Sequence, residues 1–188
     1  MKKPSREELL EAANQTMPDI LAPELRVLFC GINPSIYSVV VGHHFARPGN
    51  RFWPALHASG WTPTRFSPTQ DRELLDLGLG ITNVVARSSV AASEVSAQEF
   101  EAGGRVLRAK IEEMRPQVLA VLGIGAYRSA FKQPKATLGL QEETLGLQGE
   151  TFSRTRIWVL PNPSGLNAHY HPPDLARLFR ELREWVED

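Results

Sequence analysis

Four apolar runs stand out from an otherwise mixed chain: residues 26–31 (RVLFCG), 80–85 (GITNVV), 117–123 (QVLAVLG) and 157–161 (IWVLP). They are near-continuous rather than alternating, the pattern of strands covered on both faces. Between them the spacing changes to that of helices. Ser96-Ala97-Gln98-Glu99 is a capping box whose helix runs to Met114-Arg115 and is stopped by Pro116. Pro172-Pro173-Asp174 opens a last helix, in which Leu175, Leu178, Phe179, Leu182 and Val186 form a core-facing stripe. Ser5 with Glu8 three residues on starts a first helix that fades by Met17-Pro18, and Phe52-Trp53 begins another with Asn50 as its cap. Strands alternating with helices predict an α/β fold of three layers, with helices on both faces of a central four-stranded, mainly parallel sheet. Gly103-Gly104 inside a helix costs propensity and marks close packing or a kink. The pentapeptide TLGLQ, at 137–141 and again at 144–148, reads as a surface hairpin or loop, because two copies are too few for a solenoid. No linker or shift of composition divides the 188 residues, so a single domain is expected.

Composition narrows the function. The formal net charge is zero, so no whole-molecule basic field announces a polyanionic partner, although a local patch can suffice. A single cysteine, Cys30, excludes an intramolecular disulfide, a tetrathiolate zinc site and an iron–sulfur cluster. Inside an apolar run it reads as a buried thiol in a reducing compartment. The apolar runs are too short to span a bilayer, and acidic residues stand where a signal peptide needs an apolar stretch. A soluble intracellular protein without a membrane partner is expected. The five histidines show no metal-ligand spacing with carboxylates, so no metal or cofactor is expected. Gly123-Ile124-Gly125 sits where a dinucleotide loop would, but Arg128 replaces the third glycine and nucleotide binding is disfavoured. No G-x-S-x-G nucleophile elbow is present.

Two of the apolar runs end in the same tripeptide, Asn33-Pro34-Ser35 and Asn162-Pro163-Ser164. In a parallel sheet, ligands bind at the carboxyl ends of the strands, and both tripeptides fall at such ends. One copy is ordinary turn chemistry; two at equivalent ends leave a paired site and a pair of plain turns evenly matched. A further loop, residues 42–51, carries Phe45 alone among polar and loop-type residues, where an aromatic ring can stack on a flat ligand such as a base.

VLFCGINPS, followed by G-x-x-F-A-x-P-x-N-R-F-W and later by IWVLPNPSGL, closely resembles the mismatch-specific uracil/thymine-DNA glycosylases of the uracil-DNA glycosylase superfamily. The likeness runs from about Asp19 to the final helix and makes residues 1–17 an N-terminal helical extension. It implies a monofunctional DNA-repair hydrolase that flips uracil, or a related damaged pyrimidine, mispaired with guanine out of duplex DNA and leaves an abasic site. Asn33 would position the water, and a slow enzyme is expected because an amide is a poor general base. Ile32, Ser38, Phe45 and Asn83 would bind the base, Phe45 by stacking. Asn162, Ser164, Gly165, Leu166 and Asn167 would form the wedge that fills the gap and meets the widowed guanine. Glu94 is a candidate extra acid, and residues 36–41 would be a loop lining the pocket. The partner would be double-stranded DNA with G:U or related lesions, met by a monomer in a bacterial-type cytoplasm, at the nucleoid. Ser35 stands where close bacterial relatives carry Gly, which implies a stiffer pocket loop, and residues 166–168 lack an arginine associated with guanine contact. The competing expectation is a non-catalytic module that binds nucleic acid or a damaged base on the same fold.

Overall fold

In a computed structural model of the chain, residues 3–145 and 155–188 are described. Five strands form one sheet: β1 (Val27–Gly31), β2 (Leu79–Asn83), β3 (Val118–Leu122), β4 (Gly139–Leu145) and β5 (Thr155–Leu160), in the order β2-β1-β3-β5-β4. The four strands expected from the apolar runs are mutually parallel. The fifth, β4, is an antiparallel edge strand on β5. The helices are α1 (Arg6–Glu11), α2 (Ile36–Val41), α3 (Phe52–Ala58), α4 (Ala97–Met114), α5 (Ile124–Phe131) and α6 (Pro172–Glu187), with a 3-10 helix at Pro68–Leu77.

Both faces of the sheet are covered, which is why its strands lack polar alternation. Side chains of β1 divide by the period of two. Val27 and Phe29 join a core with Phe52, Trp61, Leu175 and Phe179, under α3 and α6. Leu28 and Cys30 join a second core with Leu107, Ile111 and Tyr127, under α4 and α5. Phe29 sits edge-on to Phe52 at 5.4 Å between ring centres. The Cys30 thiol is fully buried, and desolvation pushes its pKa up. Gly103 and Gly104 mark close packing, not a kink: a Cβ at either would run into the backbone carbonyl of Val84 or Ala130 respectively.

The structure corrects the expectations at three places. Residues 36–41 are a helix, α2, because the Ser35 hydroxyl accepts from the Ser38 N–H and Gly42 closes the turn in the left-handed region. The first helix stops at Glu11, short of Met17-Pro18, since Asn14 takes a left-handed φ of 63° and the chain leaves helical geometry. The first TLGLQ copy enters β4, where Leu140 pairs with Trp158, so the sheet has five strands rather than four. Residues 146–148 of the second copy lie outside the described residues.

Candidate active site

The strand order reverses direction between β1 and β3, and a crevice opens there at the carboxyl ends of the parallel strands. It holds a cavity of about 100 Å³. Residues from the ends of all four parallel strands line it, including Gly31 to Asn33 after β1, Asn83 of β2, Leu122 of β3 and Asn162 after β5. The two Asn-Pro-Ser turns therefore meet in one pocket.

Asn33 is held by a loop that follows β2. Its Nδ2 donates to the Arg87 carbonyl at 3.1 Å and to the Ser89 hydroxyl at 2.8 Å. The Ser89 hydroxyl gives its own proton to the Ala91 carbonyl at 2.8 Å, so it can only accept from Asn33. That fixes which end of the amide is nitrogen. Both Nδ2 protons are consumed, which leaves Oδ1 as the group offered to the pocket. The backbone reinforces the pairing: Ser89 donates to the Pro34 carbonyl, and Ile36 donates to that of Ser89, each at 3.2 Å.

Phe45 lines the same cavity. Its backbone is in the left-handed region, φ 53°, and its ring stacks on Phe52 at 4.1 Å with 26° between planes. One face thus rests on the core while the ring borders the cavity. Gly31 makes this approach achievable, since a Cβ there would collide with the Asn83 amide and come within 3.4 Å of the Phe45 ring. Ser38 is buried; its hydroxyl accepts from Ser35 Oγ at 3.0 Å and from the Ala46 N–H at 3.2 Å. Its remaining proton is the polar group it can present. Ser35 caps α2, with a φ of −73° that needs no glycine.

The second turn forms the rim. Asn162 Oδ1 accepts from the Ser164 N–H at 3.0 Å, and Asn167 Nδ2 closes back on the Asn162 carbonyl at 2.9 Å. Leu166 is 71% exposed at the mouth. Gly165 passes close to residue 49, where a Cβ would meet the Gly49 carbonyl at 2.5 Å. Arg51 clamps this loop from below. Its guanidinium donates to the carbonyls of Ser164, of Asn167 at 2.7 Å and of Tyr170 at 2.5 Å, and its own N–H reaches the Pro163 carbonyl at 2.9 Å.

Of the residues singled out in the sequence, Ile32, Asn33, Ser38, Phe45, Asn83, Asn162, Ser164 and Leu166 line this cavity. Gly165 and Asn167 shape the rim turn without lining it. Glu94 is not brought in. Its carboxylate accepts from the Val90 and Ala91 N–H groups at 3.4 and 3.2 Å, capping the short 3-10 turn Ala92–Glu94 that it ends, and it is exposed. Ala91 has no side-chain acceptor for that cap, so the glutamate three residues on supplies one. Sequence reasoning missed Ser89, Arg51 as a clamp, His44 and Met17. His44 is buried, its Nε2 is 2.9 Å from the Pro18 carbonyl, and burial lowers its pKa, which keeps the ring neutral and Nε2–H a donor. Arg51 and His44 lie within the motif of residues 42–53, but nothing in the local pattern assigns any of these residues its partner, because the partners lie far along the chain.

The charge of the mouth differs from that of the molecule. A shallow groove beside the cavity runs along residues 45–50, 53–54 and 65–68. Among the described residues, those lining cavity and groove include Arg47 and Arg65 and no carboxylate.

The sequence matches the Uracil DNA glycosylase superfamily over residues 18–186. Among solved structures, it is similar to the solution NMR structure of a candidate uracil DNA glycosylase from Methanosarcina acetivorans, with 20% identity over 90% of this chain and 98% of that one. The TM-score is 0.52, a likeness of fold.

Proposed function

The chain belongs to the uracil DNA glycosylase superfamily, and from that membership we propose that it excises uracil, and related damaged pyrimidines, mispaired with guanine in duplex DNA. The observation that supports this reading is the Asn33 amide, whose Nδ2 is committed to Arg87 and Ser89 and whose residue lines the same pocket as Phe45, leaving its oxygen as the group to orient a water. In this reading the target nucleotide leaves the stack and enters the pocket, because its glycosidic bond is out of reach inside the duplex. The base lies against Phe45, with Ser38 and Asn83 as polar contacts, and Ile32 packs beside it. The bond between sugar C1′ and base N1 breaks with its electron pair going to the base. A water oriented by Asn33 Oδ1 then adds its oxygen to C1′, and its proton passes through solvent to the uracil anion, leaving an abasic site and free uracil.

An amide oxygen orients water but takes no proton at neutral pH, which suits a bond that opens before the water attacks. Such a route depends on stabilising the departing anion by pre-aimed donors in a dry pocket. The exposed Leu166, on a loop clamped by Arg51, is suited to entering the gap left in the stack. Asn162, Ser164, Gly165 and Asn167 give that loop its shape, and the base opposite would meet its backbone. We assign the protein to a single domain acting as a monomer on DNA, in the cytoplasm.

The test is release of uracil from an end-labelled duplex carrying one G:U pair, read as alkali-sensitive cleavage at the abasic site. Asn33→Ala should bring release close to zero while duplex binding persists, because the water is lost and phosphate contacts remain. Turnover like that of the unaltered chain would remove Asn33 from the chemistry. An unaltered chain that binds such duplexes and releases no base from any of them is a binding module.

A further inference from the structure

We infer that residues 12–17 are a strap that holds Asn33 in its working orientation, so that a segment preceding the family match is part of the active-site scaffold. The inference rests on the glycosidic reading of Asn33. It starts from the loop that accepts both Asn33 protons. Residues 86–91 form no helix or extended strand, and such a loop is held only by what it bonds to.

At its centre is Ser88, which is 0% exposed and lies between the two residues that receive the Asn33 amide. Every polar group of Ser88 bonds to the segment before residue 18. Its N–H donates to the Gln15 carbonyl at 2.7 Å, its carbonyl accepts from the Asn14 N–H at 3.3 Å, and its hydroxyl donates to the Ala12 carbonyl at 2.5 Å. Arg87 adds a side-chain tie, with one guanidinium nitrogen 3.3 Å from Asn14 Oδ1. Its other nitrogens grip Glu99 of α4 at 2.5 and 3.0 Å, holding that carboxylate down to a pKa of about 2. The loop is thus fastened between α4 and the strap.

The early end of α1 now has a reason. A helix continued past Glu11 would bond its carbonyls internally; leaving helical geometry at Asn14 turns the carbonyls of Ala12 and Gln15 toward Ser88. Beyond the strap the chain is tied twice more, through the Pro18 carbonyl on His44 and through Ile20, which exchanges two backbone hydrogen bonds with Ile81 at 2.8 and 2.9 Å. Between these anchors Met17 lines the cavity. The segment therefore spans from the Asn33 side of the pocket to the Phe45 side. A strap that served only general stability would not need to meet the protein at the one residue lying between Asn33's two partners.

Removal of residues 1–15 tests this. In single-turnover release of uracil from G:U duplex, the shortened chain should be slower by about ten- to a hundredfold, the scale of a small misplacement of a reacting group. Its affinity for duplex bearing an uncleavable uracil analogue should stay within about twofold, and in an Asn33→Ala background the same removal should change residual release by less than about twofold. Undiminished release, or an equal loss in both backgrounds, overturns the strap. If the shortened chain does not fold, Ser88→Ala in the full chain deletes the Ala12 bond alone; its release should still fall, and only when Asn33 is present. Were the unaltered chain to release no uracil at all, the enzymatic reading would fail but the strap would still be testable. Hydrogen exchange at the amides of residues 87–91 should quicken in the shortened chain, and unchanged protection there would end the proposal.

Discussion

Asn33 shows how much of a residue's chemistry lies in its partners. A carboxylate can take a proton where an amide cannot, which makes Asn33→Asp an obvious attempt at improvement. Here it should fail. The present amide gives one proton to the Arg87 carbonyl and one to Ser89 Oγ, whose own proton is committed to Ala91. A carboxylate in that position would face a carbonyl oxygen with no proton between them, which disfavours its charged form and raises its pKa above the usual ~3.9. Release by the variant should therefore be no faster than by the unaltered chain at neutral pH, and should rise with pH through the raised pKa as the carboxylate forms. A variant far faster at pH 7, flat down to about pH 5, would mean that the loop rearranges at little cost. Asn33 and Phe45 were legible in the sequence because they sit in a dense motif. Ser89 was not: it is one hydroxyl in a Ser-Ser pair, joined to Asn33 across 56 positions. Glu94 misled in the opposite way, since an acid near a strand end has the composition of a site and, here, the geometry of a cap.

At the scale of elements, both turns were readable as punctuation, and their meeting followed from parallel strands ending on one side. What could not be read was how the second turn is held. Arg51 begins as one residue in a motif and ends as a planar fork reaching three carbonyls of the rim loop. That clamp gives Leu166 a fixed base despite its exposure. Opening a stack costs a few kcal/mol, least for a mispaired base, and a held apolar side chain can offset part of that without touching the glycosidic bond. Leu166→Ala should thus slow uracil release from duplex by about tenfold, taking ~1.4 kcal/mol of that opening cost as lost. On single-stranded substrate, where nothing needs prising apart, the loss should be much smaller. Equal losses on the two would reduce Leu166 to a packing residue. The helix α2 escaped prediction for a related reason: Ile-Tyr-Ser-Val-Val-Val has no helical period, and the turn is set instead by Ser35 and Gly42 at its ends.

The whole molecule is electrically neutral, yet its mouth is not. Positive and negative residues number 21 each, so the net charge announces no whole-molecule basic field and says nothing about the few residues around the cavity. There, Arg47 and Arg65 stand without a lining carboxylate. Arg47 also reaches the Val90 carbonyl at 3.3 Å, tying the Phe45 loop to the Asn33 loop across the entrance. A DNA-binding protein with this distribution should differ from one that coats its surface in lysine. Affinity for duplex should depend weakly on salt, because each phosphate neutralised contributes a slope of about −0.9 in log K against log salt. Two arginines at the mouth give a slope of about −2, so between 50 and 200 mM salt the loss should be near fifteenfold rather than the thousandfold or more of proteins with many phosphate contacts. Titrating labelled G:U duplex, with the Asn33→Ala chain to prevent turnover, measures that slope directly. Arg65→Ala should make it shallower by about one unit, in keeping with its place beside the pocket. A slope of about −5 or steeper would mean that the backbone is held by a cationic surface well outside the mouth, and that binding is organised around that surface, with the pocket as a secondary contact.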